Sequence, residues 1–175
     1  LVTSKYHLRV NEDRKFHELN QVNFSKSIPA TKIDSKLKGL KWITPPFKDN
    51  VEEEINFIKD LKSQIQTDKR KKMVITHYSF ISSILDENFF SPSMAYTSDG
   101  SIIPLKNNKY SQKYKNLVIN LIKKNNVDVI YIVYPVHKGS IADYLDKSCL
   151  KEKLILKGVI SYEIKRCKDL IGKNN

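Results

Sequence analysis

Two short apolar runs, each preceded by basic residues and ended by a polar turn, constrain the fold of this chain more than any other feature. The first runs from Met73 to Ser79 and the second from Val127 to Pro135. Runs of this length between helical segments are typical of the buried central strands of an α/β sheet. A histidine lies in each turn, His77 in the first and His137 in the second. We therefore predict central strands over residues 73–78 and 128–134.

Two segments have the period of an amphipathic helix. Asn50 and Glu53 form a capping box at the start of the first, and the second begins near Ser111 and ends at Asn126, which can take the left-handed cap conformation. The apolar positions follow a helical spacing in both segments. They are Val51, Ile55, Ile58, Leu61 and Ile65 in the first helix, and Tyr114, Leu117, Val118, Leu121 and Ile122 in the second.

The order of these elements predicts an α/β fold, specifically a Rossmann-like three-layer sandwich with a mostly parallel central sheet. Residues 1–46 have no helical period and predict a β-rich N-terminal extension, with an extended stretch before Pro45-Pro46. The α/β domain spans residues 47–170, and residues 171–175 form a loose tail. The alternation around Lys157-Gly158 predicts a final strand or a hairpin.

The composition bounds the class of protein. Hydrophobic residues make up 40% and charged residues 29% of the 175 residues, which fits a folded chain. No apolar run approaches the roughly 20 residues that span a bilayer. The net charge of +12 favours an anionic partner. However, nearly all of this charge is lysine, whereas base and phosphate recognition relies on the arginine fork, so nucleic acid ranks low among the partners.

Polar residues follow both predicted strands and mark the candidate binding edge. Ligands of open α/β sheets bind at the carboxyl ends of the strands, where a following helix start favours an anion. A long loop between the two halves contains Asp99 and can close over this edge. The candidate ligand-binding residues are Thr76, His77, Tyr78, Ser79, Asp99, His137, Lys138, Gly139 and Ser140. Ser79 and the other polar residues between a strand and the following helix can equally be helix caps that bind no ligand.

Sequence motifs assign no catalytic residue. The chain contains no GxGxxG, GxxxxGK[ST], GxSxG or HExxH motif, and it has no Cys/His spacing for a metal, so we predict neither cofactor nor metal. Cys149 and Cys167 flank the last predicted strand. They could form a disulfide, as in an exported domain, or remain two buried thiols, as in the cytosol.

Several stretches resemble the soluble C-terminal, extracytoplasmic region of bacterial polytopic membrane proteins that are glycosyltransferase-like. They are Leu40-Lys41-Trp42-Ile43-Thr44-Pro45, Lys72-Met73-Val74-Ile75-Thr76-His77-Tyr78-Ser79, Phe90-Ser91-Pro92-Ser93 and Tyr96-Thr97-Ser98-Asp99-Gly100. In such parents the catalytic acids lie in membrane-proximal loops, which this chain does not contain. The resemblance therefore implies an accessory domain on the extracytoplasmic face of a bacterial membrane.

Three functions follow from these observations. The first is an accessory domain of a membrane protein that binds a glycan or a lipid-linked phosphate without catalysis. It agrees with a chain that begins at Leu1 rather than Met and with a Cys149–Cys167 bridge. The second is a free-standing α/β enzyme, cytoplasmic in that case, acting on a phosphorylated or nucleotide-sugar substrate at the His77/His137 edge. The third is a nucleic-acid-binding module.

Overall fold

A computed structural model describes residues 24–43, 51–93, 103–104, 107–134, 136, 141 and 144–165. These residues fall into two compact units, which divide between Asp60 and Leu61. The helices are α1 (Val51–Thr67), α2 (Phe80–Leu85) and α3 (Ser111–Asn125), and short 3-10 turns lie at Phe24–Lys26, Ala30–Lys32, Ser35–Leu37 and Lys147–Cys149. The strands are β1 (Ile28–Pro29), β2 (Lys41–Trp42), β3 (Lys72–Ile75), β4 (Val129–Val133), β5 (Leu150–Leu156) and β6 (Val159–Ile164).

The first unit contains a small antiparallel ladder, in which Ile28 pairs with Trp42. The chain between the two strands is 3-10 rather than extended, and Gly39 makes the return with a φ of 91°. Within residues 37–43, the described part of the stretch predicted to be extended, the strand is limited to β2. The Trp42 indole Nε1 donates to Glu54 Oε2 over 2.9 Å, which ties the ladder to the first turn of α1. Residues 1–23 of the predicted β-rich extension, Pro45-Pro46 and Asn50 lie outside the described residues.

The second unit contains a four-stranded sheet in the order β3-β4-β6-β5. β3 and β4 are parallel, with Met73 opposite Ile130, whereas β6 is antiparallel to both β4 and β5. The α/β class is confirmed, but the mostly parallel sheet is not: one described strand pair is parallel and two are antiparallel. The turn at Lys157-Gly158 accounts for the antiparallel β5–β6 pair, because a two-residue connection can join only antiparallel strands. Gly158 takes the left-handed conformation, with a φ of 87°.

One face of this sheet packs against α3. Met73, Ile75, Ile130 and Ile132 alternate with residues of the opposite face and form a buried cluster with Val118, Ile119 and Ile122 of the helix. The helix ends as predicted at Asn126, whose φ of 49° is left-handed. Leu117, predicted on the buried face, is instead 44% exposed, and Ile119 is buried.

The helical prediction for α1 is confirmed as well. Ile55, Ile58, Leu61 and Ile65 are buried at the predicted spacing. None of the helices in the described ranges combines the length and the apolar character needed to cross a membrane.

Candidate functional site

An open pocket of about 430 Å³ lies beside the C-terminal half of β3. Its walls come from β3, from α2 and from the irregular segment that follows α2. The lining side chains are hydroxyls, phenyl rings, a carboxamide, a carboxylate and one aliphatic group. They are Val74, Thr76, Ser79, Phe80, Ser82, Ser83, Glu87, Asn88, Phe89, Phe90, Ser91 and Ser93.

The segment after α2 forms the outer wall because it returns along β3. Asp86 ends the helix in the left-handed conformation, with a φ of 50°, and reverses the chain. The Val74 amide then donates to the Phe89 carbonyl over 3.1 Å, so this segment covers the outer edge of β3. Asn88 Oδ1 accepts from the Phe90 amide over 2.9 Å, and this local bond holds Phe90 at a positive φ of 47°.

A buried ion pair fixes the carboxylate of the pocket. Lys72 lies at the start of β3, and its side chain is 2% exposed. Its Nζ donates to Glu87 Oε1, and the Glu87 side chain is 33% exposed at the pocket wall. A buried ammonium needs such a partner because removing an isolated charge from water is costly. Glu87 is therefore held from the interior side, and its charge is balanced by a group that solvent does not reach.

The polar turn after β3 contains two of the predicted binding residues that line the pocket, Thr76 and Ser79. Thr76 is buried, and its Oγ1 accepts from the Tyr78 amide over 3.0 Å, which shapes the turn. Tyr78 is also buried, and the His77 ring contacts it with centroids 3.7 Å apart. His77 and Tyr78 do not belong to the lining of the pocket as far as the structure describes it.

Ser79 is the N-cap residue of α2, as predicted, but its side chain makes no capping hydrogen bond. Its backbone already has helical angles, φ −58° and ψ −25°, whereas a capping side chain needs a more extended N-cap residue. Its carbonyl instead accepts from Ser82 Oγ over 2.8 Å. The helix that follows has six residues, too short to supply the dipole on which the predicted anion site depends.

The remaining predicted site residues lie mostly outside the described part of the chain. These are Asp99, His137, Lys138, Gly139, Ser140 and Cys167. Convergence of His77 and His137 on one edge therefore stays a prediction. Cys149 is buried and disulfide-bonded, and its pairing with Cys167 stays a prediction too.

A second polar cluster, which the sequence analysis missed, lies at the other end of β3. Asp68 accepts from Arg70 Nε over 3.0 Å and Nη2 over 2.8 Å, and from the Tyr131 hydroxyl over 2.6 Å. Arg70 Nη1 also lies 3.6 Å from Glu163 Oε1. The one sequence signal was the Asp68-Lys69-Arg70 spacing in the turn after α1. Tyr131 lies 63 residues away, inside an apolar run that predicted only core.

The hydrogen bonds in this cluster shift the pKa values of its members. Burial by itself raises the pKa of Asp68, but the bonds from Arg70 and Tyr131 outweigh it and lower the pKa to about 2. Burial and the bond to Asp68 together raise the pKa of Tyr131 to about 12. At neutral pH the cluster is thus an ionised carboxylate held by a cation and a neutral phenol. It fastens the α1–β3 connection to the sheet.

Among the described residues, no three His, Cys, Asp or Glu side chains lie close enough to hold a metal ion. Comparisons with protein families, with curated proteins and with solved structures give no match for this chain.

Proposed function

We propose that this chain is an accessory domain of a larger, glycosyltransferase-like membrane protein and that the pocket beside β3 binds a neutral sugar unit of a glycan. The domain binds its ligand and does not transform it. Its place in this proposal is the extracytoplasmic face of a bacterial membrane. The observation that carries the proposal is the lining of the pocket, which combines many hydroxyls with phenyl rings.

The lining suits a sugar because the two faces of a sugar ring differ. The hydroxyls of Ser79 and Ser83 and the Asn88 carboxamide can both donate to and accept from sugar hydroxyls. Ser82 Oγ, which donates to the Ser79 carbonyl, can still accept. Phe80 and Phe90 are half-buried in the same lining and offer apolar surface to the C–H face of the ring. Ligand sites commonly combine such apolar walls with a few placed polar groups.

The charges in the pocket favour a neutral ligand over a phosphate. None of the described lining residues is Lys or Arg, and the nearby Lys72 charge is balanced by Glu87. The Glu87 carboxylate would repel a phosphate at the wall. The phosphate alternative depends on Lys138 and Gly139, which lie outside the described residues.

The acid content of the pocket favours binding over hydrolysis. Glycoside hydrolysis generally uses two carboxylates that flank the scissile bond. Glu87 is the one carboxylate among the described lining residues, and its Oε1 is engaged by Lys72.

We also propose a layered arrangement for the sheet and its helices. α3 packs on one face of the sheet, and Asp68, directly after α1, meets Tyr131 on the other. These contacts support a Rossmann-like three-layer arrangement around the parallel pair β3–β4.

A titration monitored by amide NMR tests the proposal. Chitotriose and maltotriose serve as neutral probes and inorganic phosphate as the anionic one. We expect one of the sugars to shift amide signals of residues 79–91, and phosphate to leave them in place. The variant Ser83→Tyr places a phenol in the pocket and should weaken sugar binding at least about ten-fold. Ser63→Tyr is the matched control, since Ser63 is exposed on α1 and outside the pocket lining.

Two results would count against a sugar site. One is the absence of shifts with either sugar, and the other is equal binding by Ser83→Tyr and the unmodified chain. The membrane parent is tested separately, by reading the gene upstream of Leu1 for segments that encode membrane spans.

A further inference from the structure

The tip of the β5–β6 hairpin exposes large apolar side chains. We define the hairpin tip as residues 153–158 together with the neighbouring Tyr134. Leu154 is 68% exposed and Tyr134 is 71% exposed. Ile132 lies in the same row of the sheet as Leu154 and is 2% exposed. The apolar face that α3 covers at the centre of the sheet is thus left open to solvent at this corner.

Backbone pairing brings the two exposed side chains to the same end of the sheet. Leu154 is opposite Ile160, which in turn is opposite Ile132, so the three side chains share one face. Tyr134 follows β4 directly, and its amide donates to the Gly158 carbonyl in the hairpin turn over 2.8 Å. Leu154 and Tyr134 therefore lie at the same end of the sheet.

The two charged residues of the hairpin tip are both lysines. Lys153 and Lys157 are exposed, and the sequence from Lys153 to Tyr162 contains neither Asp nor Glu. The nearest acid of the hairpin is Glu152, whose carboxylate accepts from the Tyr162 hydroxyl over 2.9 Å. Lys157 lies in the turn beside Gly158. Lys153 precedes Leu154 on the edge strand β5 and points to the other face of the sheet, from which its long side chain can reach around the edge.

We propose that the hairpin tip docks on an anionic membrane surface. Leu154 and Tyr134 enter the interfacial layer, where the amphipathic ring of a tyrosine is favoured, and Lys153 and Lys157 lie against the lipid phosphates. A lysine can reach those phosphates while its aliphatic stem covers apolar surface. Charge alone would serve a nucleic acid equally well, but the exposed leucine gains from entering a bilayer and gains nothing from a phosphate backbone. This inference rests on the hairpin tip and not on the pocket.

Co-sedimentation with lipid vesicles tests the proposal on the full chain. We expect binding to vesicles of equal parts phosphatidylcholine and phosphatidylglycerol, and little binding to phosphatidylcholine alone. The double variant Tyr134→Ser/Leu154→Thr should lower the partition coefficient at least about ten-fold, because the inserting apolar groups are lost. Lys157→Gln should lower it about five-fold. Both changes fall on exposed positions, where folding tolerates them, and circular dichroism verifies that it does.

Matched variants separate the hairpin tip from general charge and hydrophobicity. Tyr110→Ser/Leu117→Gln removes an exposed tyrosine and an exposed leucine elsewhere, and Lys113→Gln removes an exposed lysine of α3. Both are expected to bind vesicles as the unmodified chain does. Equal losses in Lys113→Gln and Lys157→Gln, or full binding by the tip double variant, would overturn the proposal. A DNA duplex is added as competitor, and displacement from the vesicles by DNA would identify a nucleic-acid surface instead.

Discussion

The hydroxyl of Tyr131 lies 2.6 Å from Oδ2 of Asp68, although the two residues are 63 positions apart. Tyr131 comes from the middle of β4, where the side chain is 3% exposed, and Asp68 from the turn that joins α1 to β3. Arg70 Nη2 donates to the same oxygen over 2.8 Å, and Arg70 Nε donates to Oδ1 over 3.0 Å. A connection between helix and strand is thereby fixed to the central strand of the sheet.

Replacing Tyr131 with Phe removes this bond and little else. A hydrogen bond to a charged group contributes about 2 kcal/mol, so the free energy of unfolding should fall by about that amount in urea denaturation followed by circular dichroism. Tyr134→Phe is the control, because Tyr134 is 71% exposed and its change should stay within about 0.5 kcal/mol. Equal stability of the two variants would show that the Tyr131–Asp68 bond contributes nothing net.

The same cluster makes stability depend on acid pH. The pKa of Asp68 is lowered from 3.8 to about 2 in the folded chain, so the unfolded chain binds the proton more readily. Stability from this group is therefore fully present above the unfolded pKa and is lost as the pH falls through the folded one. The loss is on the order of 2 kcal/mol and lies between about pH 4 and pH 2.

Denaturation at a series of pH values measures this effect. Asp68→Asn should be less stable than the unmodified chain at neutral pH, and the difference should shrink as the pH falls through that window. Tyr131→Phe keeps the Arg70 contacts and should retain part of the acid dependence. A constant difference between Asp68→Asn and the unmodified chain at every pH would refute the assignment.

The buried face of α3 gives a third prediction, because Ile119 is buried in the structure and Leu117, which was predicted to be buried, is exposed. Ile119→Ala should lower the free energy of unfolding by about 2–4 kcal/mol, since Ile119 is 4% exposed in the core cluster. Leu117→Ala should change it by less than about 0.5 kcal/mol, because Leu117 is 44% exposed. The helical propensities favour alanine at both positions, so they cannot produce the difference. A larger loss in Leu117→Ala than in Ile119→Ala would show that Leu117 is the buried residue, as the spacing of apolar residues predicted.

The sequence predicted those features that arise from local patterns. The cores of β3 and β4, the positions of α1 and α3 and the turn at Gly158 each follow from a periodicity or a turn residue within a short window. Leu117 was misplaced because Leu117 and Val118 both fit an i, i+3, i+4 spacing from Tyr114. In the structure the buried face of α3 is centred on Val118, Ile119 and Ile122.

Features that depend on distant pairing were not predictable. Whether β6 runs parallel or antiparallel to β4 depends on which strand it joins, and the apolar pattern of a buried strand is the same in both directions. Thr76 and Ser79 were correctly located in the turn after β3. The outer wall of the pocket comes from the return of residues 87–93 along β3, a segment without a helical or strand period. The Lys72–Glu87 ion pair was not predicted, because Lys72 ends a run of basic residues and nothing in the sequence distinguishes it from the exposed lysines before it.

The Lys72–Glu87 pair gives a last prediction, which separates its structural role from its role in the pocket. Glu87→Gln leaves the Lys72 charge buried without its counter-ion and should lower the free energy of unfolding by about 2–3 kcal/mol. Lys72→Met should cost less, because methionine fits the apolar surroundings and the exposed part of Glu87 can be hydrated. The double variant Lys72→Met/Glu87→Gln has no buried charge and should be more stable than Glu87→Gln alone. In urea denaturation, additive losses in the double variant would show that the two side chains do not interact. In the sugar titration, Lys72→Met should retain binding, because Lys72 is not among the described residues that line the pocket.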